Sequence, residues 1–114
     1  MADCIFCMII SDEIRSNKLY EDDDILAFQD INPMAPVHFL VIPKRHISNI
    51  MESTQEDIPI LGTLLYKAQE LAASMGLNES GARFVVNCKA DGGQTIDHLH
   101  IHVLGGRFLS WPPG

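Results

Sequence analysis

The chain has 114 residues, of which 46% are apolar and 20% charged, and its formal net charge is −7 at pH 7. This composition excludes a mainly disordered chain, and the negative charge argues against binding nucleic acid through a basic surface. Every apolar run is shorter than the ~18 residues that cross a bilayer, so no membrane span is expected. We expect one domain over residues 1–114. The first residues lack the basic segment of a secretory signal, and the three cysteines are an odd number, so we expect a cytoplasmic protein without a disulfide framework.

The first half of the chain predicts a short helix and three strands. Residues 4–10 are typical of a short helix or a turn, and residues 19–20 and 25–28 of two strands joined by an acidic turn. Residues 38–42 are rich in strand-forming side chains. Pro43 ends this run, because proline lacks the N–H that a central strand needs.

A long helix is predicted from Thr54 to Gly76. Thr54 is a good N-cap, Asp57 lies near the capping-box position, and Gly76 is a common C-terminal stop. Apolar residues three or four apart would face a sheet, and they are Ile58, Leu61, Leu65, Ala68, Ala72 and Met75.

Two more strands are predicted after this helix, over residues 83–87 and 98–104, with a turn at residues 90–93. Five strands joined mostly by short turns, with one long and one short helix, predict an α+β domain. Its five-stranded sheet should be mainly antiparallel.

Three histidines alternate along the last predicted strand. Successive side chains of a strand point to opposite faces, so His98, His100 and His102 would share one face, with the apolar residues between them packed on the long helix. Two roles remain open, metal binding by a His-x-His pair and nucleophilic or acid–base catalysis. At ~3.3 Å per residue the outer two histidines lie ~13 Å apart at their backbones, so one ion is not expected to bind all three.

The segment Gly92-Gly93-Gln94-Thr95 lies just before these histidines. Backbone N–H groups of such a turn can converge on an anion, and the last two side chains add further donors. The sequence therefore predicts a phosphate beside an imidazole.

These motifs together resemble the histidine triad (HIT) superfamily, whose signature alternates three histidines with apolar residues. Residues 30–33, 35–36, 38–44 and 46–47 are similar to the central strands of that family. Gly105-Gly106-Arg107 and the final Trp-Pro-Pro-Gly resemble the tail of its Hint-type, nucleotide-binding branch. The resemblance covers nearly the whole chain and implies a HIT-like fold.

The resemblance implies a purine nucleoside phosphoramidase that also cleaves acyl-nucleotides. His100 would attack the α-phosphorus, and water would then release the nucleoside monophosphate from the nucleotidyl-histidine. The second ring nitrogen of His100 needs an acceptor, for which we expect the backbone carbonyl of His98. The resemblance further implies that His102 donates to a phosphate oxygen, that His38 joins this polar cluster, and that Thr95 hydrogen-bonds the leaving group or phosphate.

The resemblance also implies a nucleotide-binding set. A carboxylate would accept from the ribose hydroxyls, four apolar side chains would hold a purine, and polar groups of the 87–94 region would hold phosphate or ribose. These residues are Asp30 for the ribose, Phe6, Ile9, Phe28 and Ile31 for the purine, and Asn87, Gln94 and the Gly93 amide for phosphate or ribose. Trp111 is implied to reach the site of the partner subunit in a homodimer.

Cys4 and Cys7 form a C-x-x-C motif, which alone predicts zinc ligands, a redox pair or two small buried residues. The redox interpretation lacks a thioredoxin-like βαβ context. Some bacterial relatives hold structural zinc with such a pair, a histidine after the Pro-Lys segment, and the first triad histidine. The resemblance thus implies a zinc site formed by Cys4, Cys7, His46 and His98, and no organic cofactor.

Three alternatives stay open at this point. The chain would be a metallohydrolase if a His-x-His pair held a catalytic ion. The second alternative is a dinucleoside polyphosphate hydrolase or nucleotidyl transferase of the same superfamily. The third is a module that binds nucleotide or protein, with incidental catalysis. Arg15, Asp97, Cys88 and Lys89 depart from common residues of the family. We expect little effect from Arg15, and the other three leave the leaving-group preference open but not the chemistry.

Overall fold

The computed structural model describes residues 4–114, and within them five strands, four helices and two 3-10 turns. The order along the chain is α1 (Ile5–Ile10), β1 (Lys18–Glu21), β2 (Ile25–Gln29), β3 (Val37–Pro43), two 3-10 turns (Ile50–Glu52 and Gln55–Asp57), α2 (Ile58–Ser74), α3 (Leu77–Ser80), β4 (Ala82–Val85), α4 (Lys89–Gly92) and β5 (Ile101–Gly105). Beside the predicted long and short helices there are two further helices of four residues each. The turn predicted at residues 90–93 is mostly the second of these.

The strands form one antiparallel sheet in the order β1-β2-β3-β5-β4. This confirms the predicted α+β architecture and its five-stranded sheet. The sheet separates two apolar clusters. On one face α2 packs against buried residues of β2, β3 and β5. On the other face α1 packs against the alternate residues of β2 and β3.

The start and the buried face of α2 differ from the prediction. Thr54 and Asp57 do form a capping box, but it caps a 3-10 turn, and the α-helix begins at Ile58. Ile58 is 60% and Leu65 54% exposed, whereas Leu64 is 1% exposed. Ile58 and Leu65 fit the spacing of three or four residues, but the helix is rotated about its axis so that Leu64 faces the sheet. The prediction that Ile58 and Leu65 face the sheet is therefore wrong.

The histidine segment is also less regular than predicted. β5 begins only at Ile101, and His98, Leu99 and His100 precede it in an irregular, buried path. The backbone N–H of Leu99 donates to the carbonyl of Ile47, 2.6 Å away, instead of joining the sheet. The apolar residues of the segment nevertheless pack in the α2 cluster, as predicted.

Two glycines end β5 for different reasons. A Cβ on Gly105 would lie 2.6 Å from a methyl carbon of Leu77, so α3 packs directly on the backbone there. Gly106 has φ of +90°, a conformation that other residues rarely adopt. Across residues 4–114, none of the helices has the length and apolarity that crossing a membrane requires.

Candidate active site

The α1 face of the sheet carries a cluster of three histidines. His38 on β3 and His102 on β5 are diagonal neighbours, because His38 pairs with Leu104 and Leu40 with His102. The Nε2 atom of His38 lies 3.0 Å from Nδ1 of His102. The ring of His100 lies next to that of His102, with 4.8 Å between the ring centroids.

Hydrogen bonds assign the protons of this pair. The backbone N–H of Met34 donates to Nδ1 of His38 at 3.0 Å, so the neutral ring of His38 carries its proton on Nε2. That proton points to Nδ1 of His102 and to a carboxylate oxygen of Asp30 at 3.3 Å. His102 therefore accepts on Nδ1 and keeps its own proton on Nε2.

His100 has the opposite arrangement. Its Nδ1 donates to the backbone carbonyl of His98 at 2.6 Å, which is the acceptor expected from the sequence. Its Nε2 thus holds a free lone pair. Burial lowers the pKa of His100 from its ordinary value, so the ring is neutral at pH 7 and its lone pair is available.

The pKa of His102 falls to about 4, mainly through burial and also through the neighbouring rings of His100 and His38. A neutral His102 can donate its Nε2–H but carries no charge at neutral pH. The cluster combines one imidazole that accepts, His100, with one that donates, His102.

These two histidines line an open cleft of about 350 Å³, which we call the triad cleft. Its remaining walls come mainly from α1, the loop after it, β2 and the loop after β2. Eight of the predicted site residues line it: Phe6, Ile9, Phe28, Asp30, Ile31, Thr95, His100 and His102. Phe6 packs edge-on against both Phe28 and His100, with centroid distances of 5.3 and 5.2 Å.

Four other predicted binding residues are not among the described residues that line the cleft: Asn87, Gly93, Gln94 and Trp111. The Gln94 amide already donates to the carbonyls of Ser48 and Ile96 and accepts from the backbone N–H of Lys89. The N–H of Gly93 is bonded to the carbonyl of Ala90. In this structure Gln94 and Gly93 hold the loop around α4 together. Their expected contacts with phosphate or ribose stay a prediction. Trp111 lies in the tail and is 79% exposed.

Sequence reasoning missed residues that support the cluster from a distance. Arg107 donates from Nη2 to the carbonyl of Met34 at 2.8 Å, and Met34 in turn fixes the proton of His38. Arg15, from which little effect was expected, is part of the cleft wall together with Ser16. The arginine after the paired glycines was visible as a motif, but its contact with Met34 is not local in sequence.

A second cluster lies near the first, at the N-terminal end of α1. We call Cys4, Cys7, His46 and His98 the Cys–His cluster, because their ligand atoms all lie within 4.8 Å of one another. The Sγ of Cys4 is 3.4 Å from Nδ1 of His98, and the Sγ of Cys7 is 3.3 Å from Nδ1 of His46 and 3.6 Å from that of His98. All four residues predicted from the resemblance are therefore together.

The Cys–His cluster fits a tetrahedral zinc ion. With Zn–S and Zn–N distances of ~2.3 and ~2.0 Å, sulfur and nitrogen ligands are about 3.5 Å apart, close to the observed values. Nε2 of His98 is 2.8 Å from the carbonyl of Pro43, and the hydrogen bond leaves Nδ1 free to ligate. Burial and then the hydrogen bond with Cys4 raise the pKa of Cys7, a penalty on the thiolate that a bound cation offsets.

Asp30, His38 and His102 form another group of potential ligands. The hydrogen bond from Met34 leaves Nε2 of His38 as a donor, and this nitrogen is therefore not a metal ligand. The internal hydrogen bonds account for the closeness of the three side chains. The geometry thus disfavours the alternative in which the triad face holds a catalytic ion.

Comparison with known proteins fits this geometry. The HIT domain family model matches residues 11–109. The chain belongs to the HIT family. A HIT-like protein of Synechococcus elongatus is 54% identical over 112 residues, which cover 98% of this chain and 97% of that protein. A 14 kDa zinc-binding protein of Brassica juncea is 47% identical over 98% of this chain and 100% of its own length.

Solved HIT structures share this fold closely. The crystal structure of a HIT family hydrolase from Legionella pneumophila superimposes with a TM-score of 0.97. It is 46% identical and covers 98% of this chain and 100% of its own. The predicted membership of the superfamily is therefore confirmed.

Proposed function

We propose that this HIT protein hydrolyses purine nucleoside 5′-phosphoramidates and acyl-nucleotides to the nucleoside monophosphate through a nucleotidyl-His100 intermediate. The observation that carries the proposal is the orientation of His100. Its Nδ1–H is bound to the carbonyl of His98, and its basic Nε2 belongs to a residue lining an open cleft. The relative from Legionella pneumophila is a HIT family hydrolase, which supports the reaction class.

In the proposed first step, Nε2 of His100 attacks the α-phosphorus. A new P–N bond to the histidine forms, and the bond to the leaving amine or acid breaks with its electron pair going to the leaving group. His102 donates its Nε2–H to a phosphate oxygen, where negative charge accumulates. Thr95, on the cleft wall, provides a hydroxyl for the leaving group or phosphate. The leaving amine takes up a proton, whereas an acid leaves as its carboxylate. Water then attacks the phosphorus, the P–N bond to His100 breaks with its electron pair returning to Nε2, and the proton of the attacking water is released to solvent.

Binding of the nucleotide is proposed to use the two ends of the triad cleft. The purine packs between Phe6, Ile9, Phe28 and Ile31, and the carboxylate of Asp30 accepts from the ribose hydroxyls. One oxygen of Asp30 already accepts from the N–H of Asn32 at 2.8 Å, which holds the carboxylate in the cleft wall. Ile31 is 90% exposed, so it is proposed to close over the base at the rim.

We further propose that the Cys–His cluster holds structural zinc and that the chain acts as a homodimer in the cytoplasm. The zinc-binding relative from Brassica juncea supports the metal. An exposed Trp111 at the end of the chain is available to the site of a partner subunit. Bound zinc would have four protein ligands and no open position, so it would stabilise the fold and take no part in the reaction.

The test is release of AMP from adenosine 5′-phosphoramidate by the wild type and by His100→Ala. We expect release by the wild type and near-complete loss in the variant. With substrate labelled in the nucleotide, the wild type should also carry the label when it is quenched in alkaline denaturant, in which the P–N bond to histidine survives. Activity confined to dinucleoside polyphosphates would favour the other hydrolase branch. Equal activity of both proteins would refute the nucleophile, and no activity on any nucleotide would favour the binding-module alternative.

A further inference from the structure

Helix α1 belongs to two sites at once. Cys4 caps this helix and Cys7 lies in its first turn, so one short segment supplies both thiols of the Cys–His cluster. Phe6 and Ile9 of the same helix line the triad cleft. The helix therefore connects the metal ligands to the wall against which a base would pack.

The aromatic ring of Phe6 shows how close the two sites are. Its centroid lies 5.9 Å from that of His98, a residue of the Cys–His cluster, and 5.2 Å from that of His100. Phe6 is a buried residue of α1 and is only 6% exposed. A shift of α1 would therefore move this ring relative to the cleft.

Two kinds of contact fix α1 to the rest of the molecule, the Cys–His cluster and apolar packing on the sheet. Within residues 4–114, every hydrogen bond from residues 4–10 to the chain beyond residue 14 is a contact between a thiol and an imidazole. The other attachment is apolar packing of Phe6 and Ile9 on β2 and β3. A helix of six residues is too short to be stable without such support.

Sulfur is a weak hydrogen-bonding partner, whereas a zinc ion binds thiolate and imidazole strongly. Metal binding therefore changes how firmly α1 is docked on the sheet. A nucleotide whose base packs on Phe6 and Ile9 requires the docked position. The two ligands thus share one structural requirement.

We propose that zinc at the Cys–His cluster is a positive effector of nucleotide binding, acting by docking α1 so that Phe6 and Ile9 complete the base pocket. The inference rests on nucleotide binding at the triad cleft, as proposed above. Thermodynamic linkage then requires the nucleotide to tighten zinc binding by the same factor. If α1 is docked in one tenth of the zinc-free molecules, the apparent Kd for nucleotide rises about tenfold on zinc removal.

The first experiment measures AMP affinity by calorimetry for zinc-loaded and zinc-stripped wild type. We expect AMP to bind about tenfold more weakly to the stripped protein. Competition with a chromophoric chelator, with and without saturating AMP, should show zinc bound tighter by the same factor. Cys7→Ser should behave as the stripped protein does. Cys88→Ser is the matched control, because its thiol is outside the cluster, and it should behave as the wild type does.

Hydrogen exchange of the α1 amides measures the docking itself. We expect faster exchange over α1 after zinc removal, with β2 and β3 still protected. Equal exchange of α1 in the two folded forms overturns the inference, as does AMP affinity that differs by less than twofold. If the zinc-loaded protein binds no AMP, the proposed function fails and so does the coupling to nucleotide. Should Cys7→Ser not fold, the stripped wild type carries the comparison.

Discussion

Replacing His38 by leucine would remove the hydrogen bond that fixes the proton of His102. In the structure His38 bridges the Met34 N–H and Nδ1 of His102, each at 3.0 Å, and it is only 4% exposed. Leucine is of similar size but can neither accept from the Met34 N–H nor donate to Nδ1 of His102. The variant leaves the Met34 N–H and Nδ1 of His102 without this partner, and the imidazole of His102 is free to take the other tautomer.

The expected cost follows from the hydrogen bond to His102. An unsatisfied buried donor or acceptor costs about 1–3 kcal/mol, and if that falls on the step in which His102 donates, kcat decreases about 5- to 150-fold. The KM should change little, because His38 itself does not line the triad cleft. The assay is steady-state AMP release from adenosine 5′-phosphoramidate, with folding checked by circular dichroism.

His38→Gln provides the matched control. A glutamine amide can accept from Met34 and donate to His102, so we expect it to recover part of the lost kcat. Wild-type kcat in a folded His38→Leu protein would refute the idea that this hydrogen-bond chain positions the proton of His102. A loss seen only in KM would place His38 in binding instead.

Three further predictions concern stability and metal. In urea titrations, Leu64→Ala should lower the free energy of unfolding by about 2–5 kcal/mol and Leu65→Ala by less than ~0.5 kcal/mol. The reason is that Leu64 is 1% and Leu65 54% exposed. Equal losses in the two variants would contradict the observed packing of α2. The pKa of His102 is about 4 in the folded state, below the ordinary 6.5, so the unfolded state takes up the proton first as pH falls. The free energy of unfolding should therefore decrease as the pH falls from about 6.5 to 4, and less steeply in His102→Asn. Parallel pH profiles of the wild type and the variant would contradict this. Chelation of zinc should lower Tm but leave kcat on saturating phosphoramidate largely unchanged, whereas prompt loss of kcat would support a catalytic metal.

Much of the fold follows from local sequence patterns. β2 and β3 were visible because apolar and β-branched residues occur in short runs ended by turn residues or proline. The capping pair of Thr54 and Asp57 marked the start of the helical region to within a few residues. α2 shows the limit of such patterns: both Leu64 and Leu65 fit an apolar stripe, and only packing against the sheet decides between them.

The members of the site were easier to predict than their hydrogen bonds. The resemblance supplied the four residues of the Cys–His cluster and most of the cleft, since these lie in recognisable motifs. The hydrogen bonds of Gln94 were not predicted, because its side chain satisfies backbone groups around α4 that come together only when the loop is folded. The link between Arg107 and Met34 joins residues 73 positions apart, and no local pattern reports it.

The chemistry of the three triad histidines depends on backbone groups that their spacing does not reveal. His98 donates Nε2–H to the backbone carbonyl of Pro43, and His100 donates Nδ1–H to that of His98. His102 accepts on Nδ1 from His38, whose own proton is fixed by the Met34 N–H. These partners make His98 a potential metal ligand, His100 a base with an open lone pair, and His102 a donor. A regular strand would give all three similar surroundings. The irregular path before Ile101 lets the backbone carbonyl of His98 accept from the ring of His100, while the ring of His98 belongs to the Cys–His cluster. This departure from the predicted strand separates the potential metal-binding histidine from the reactive one.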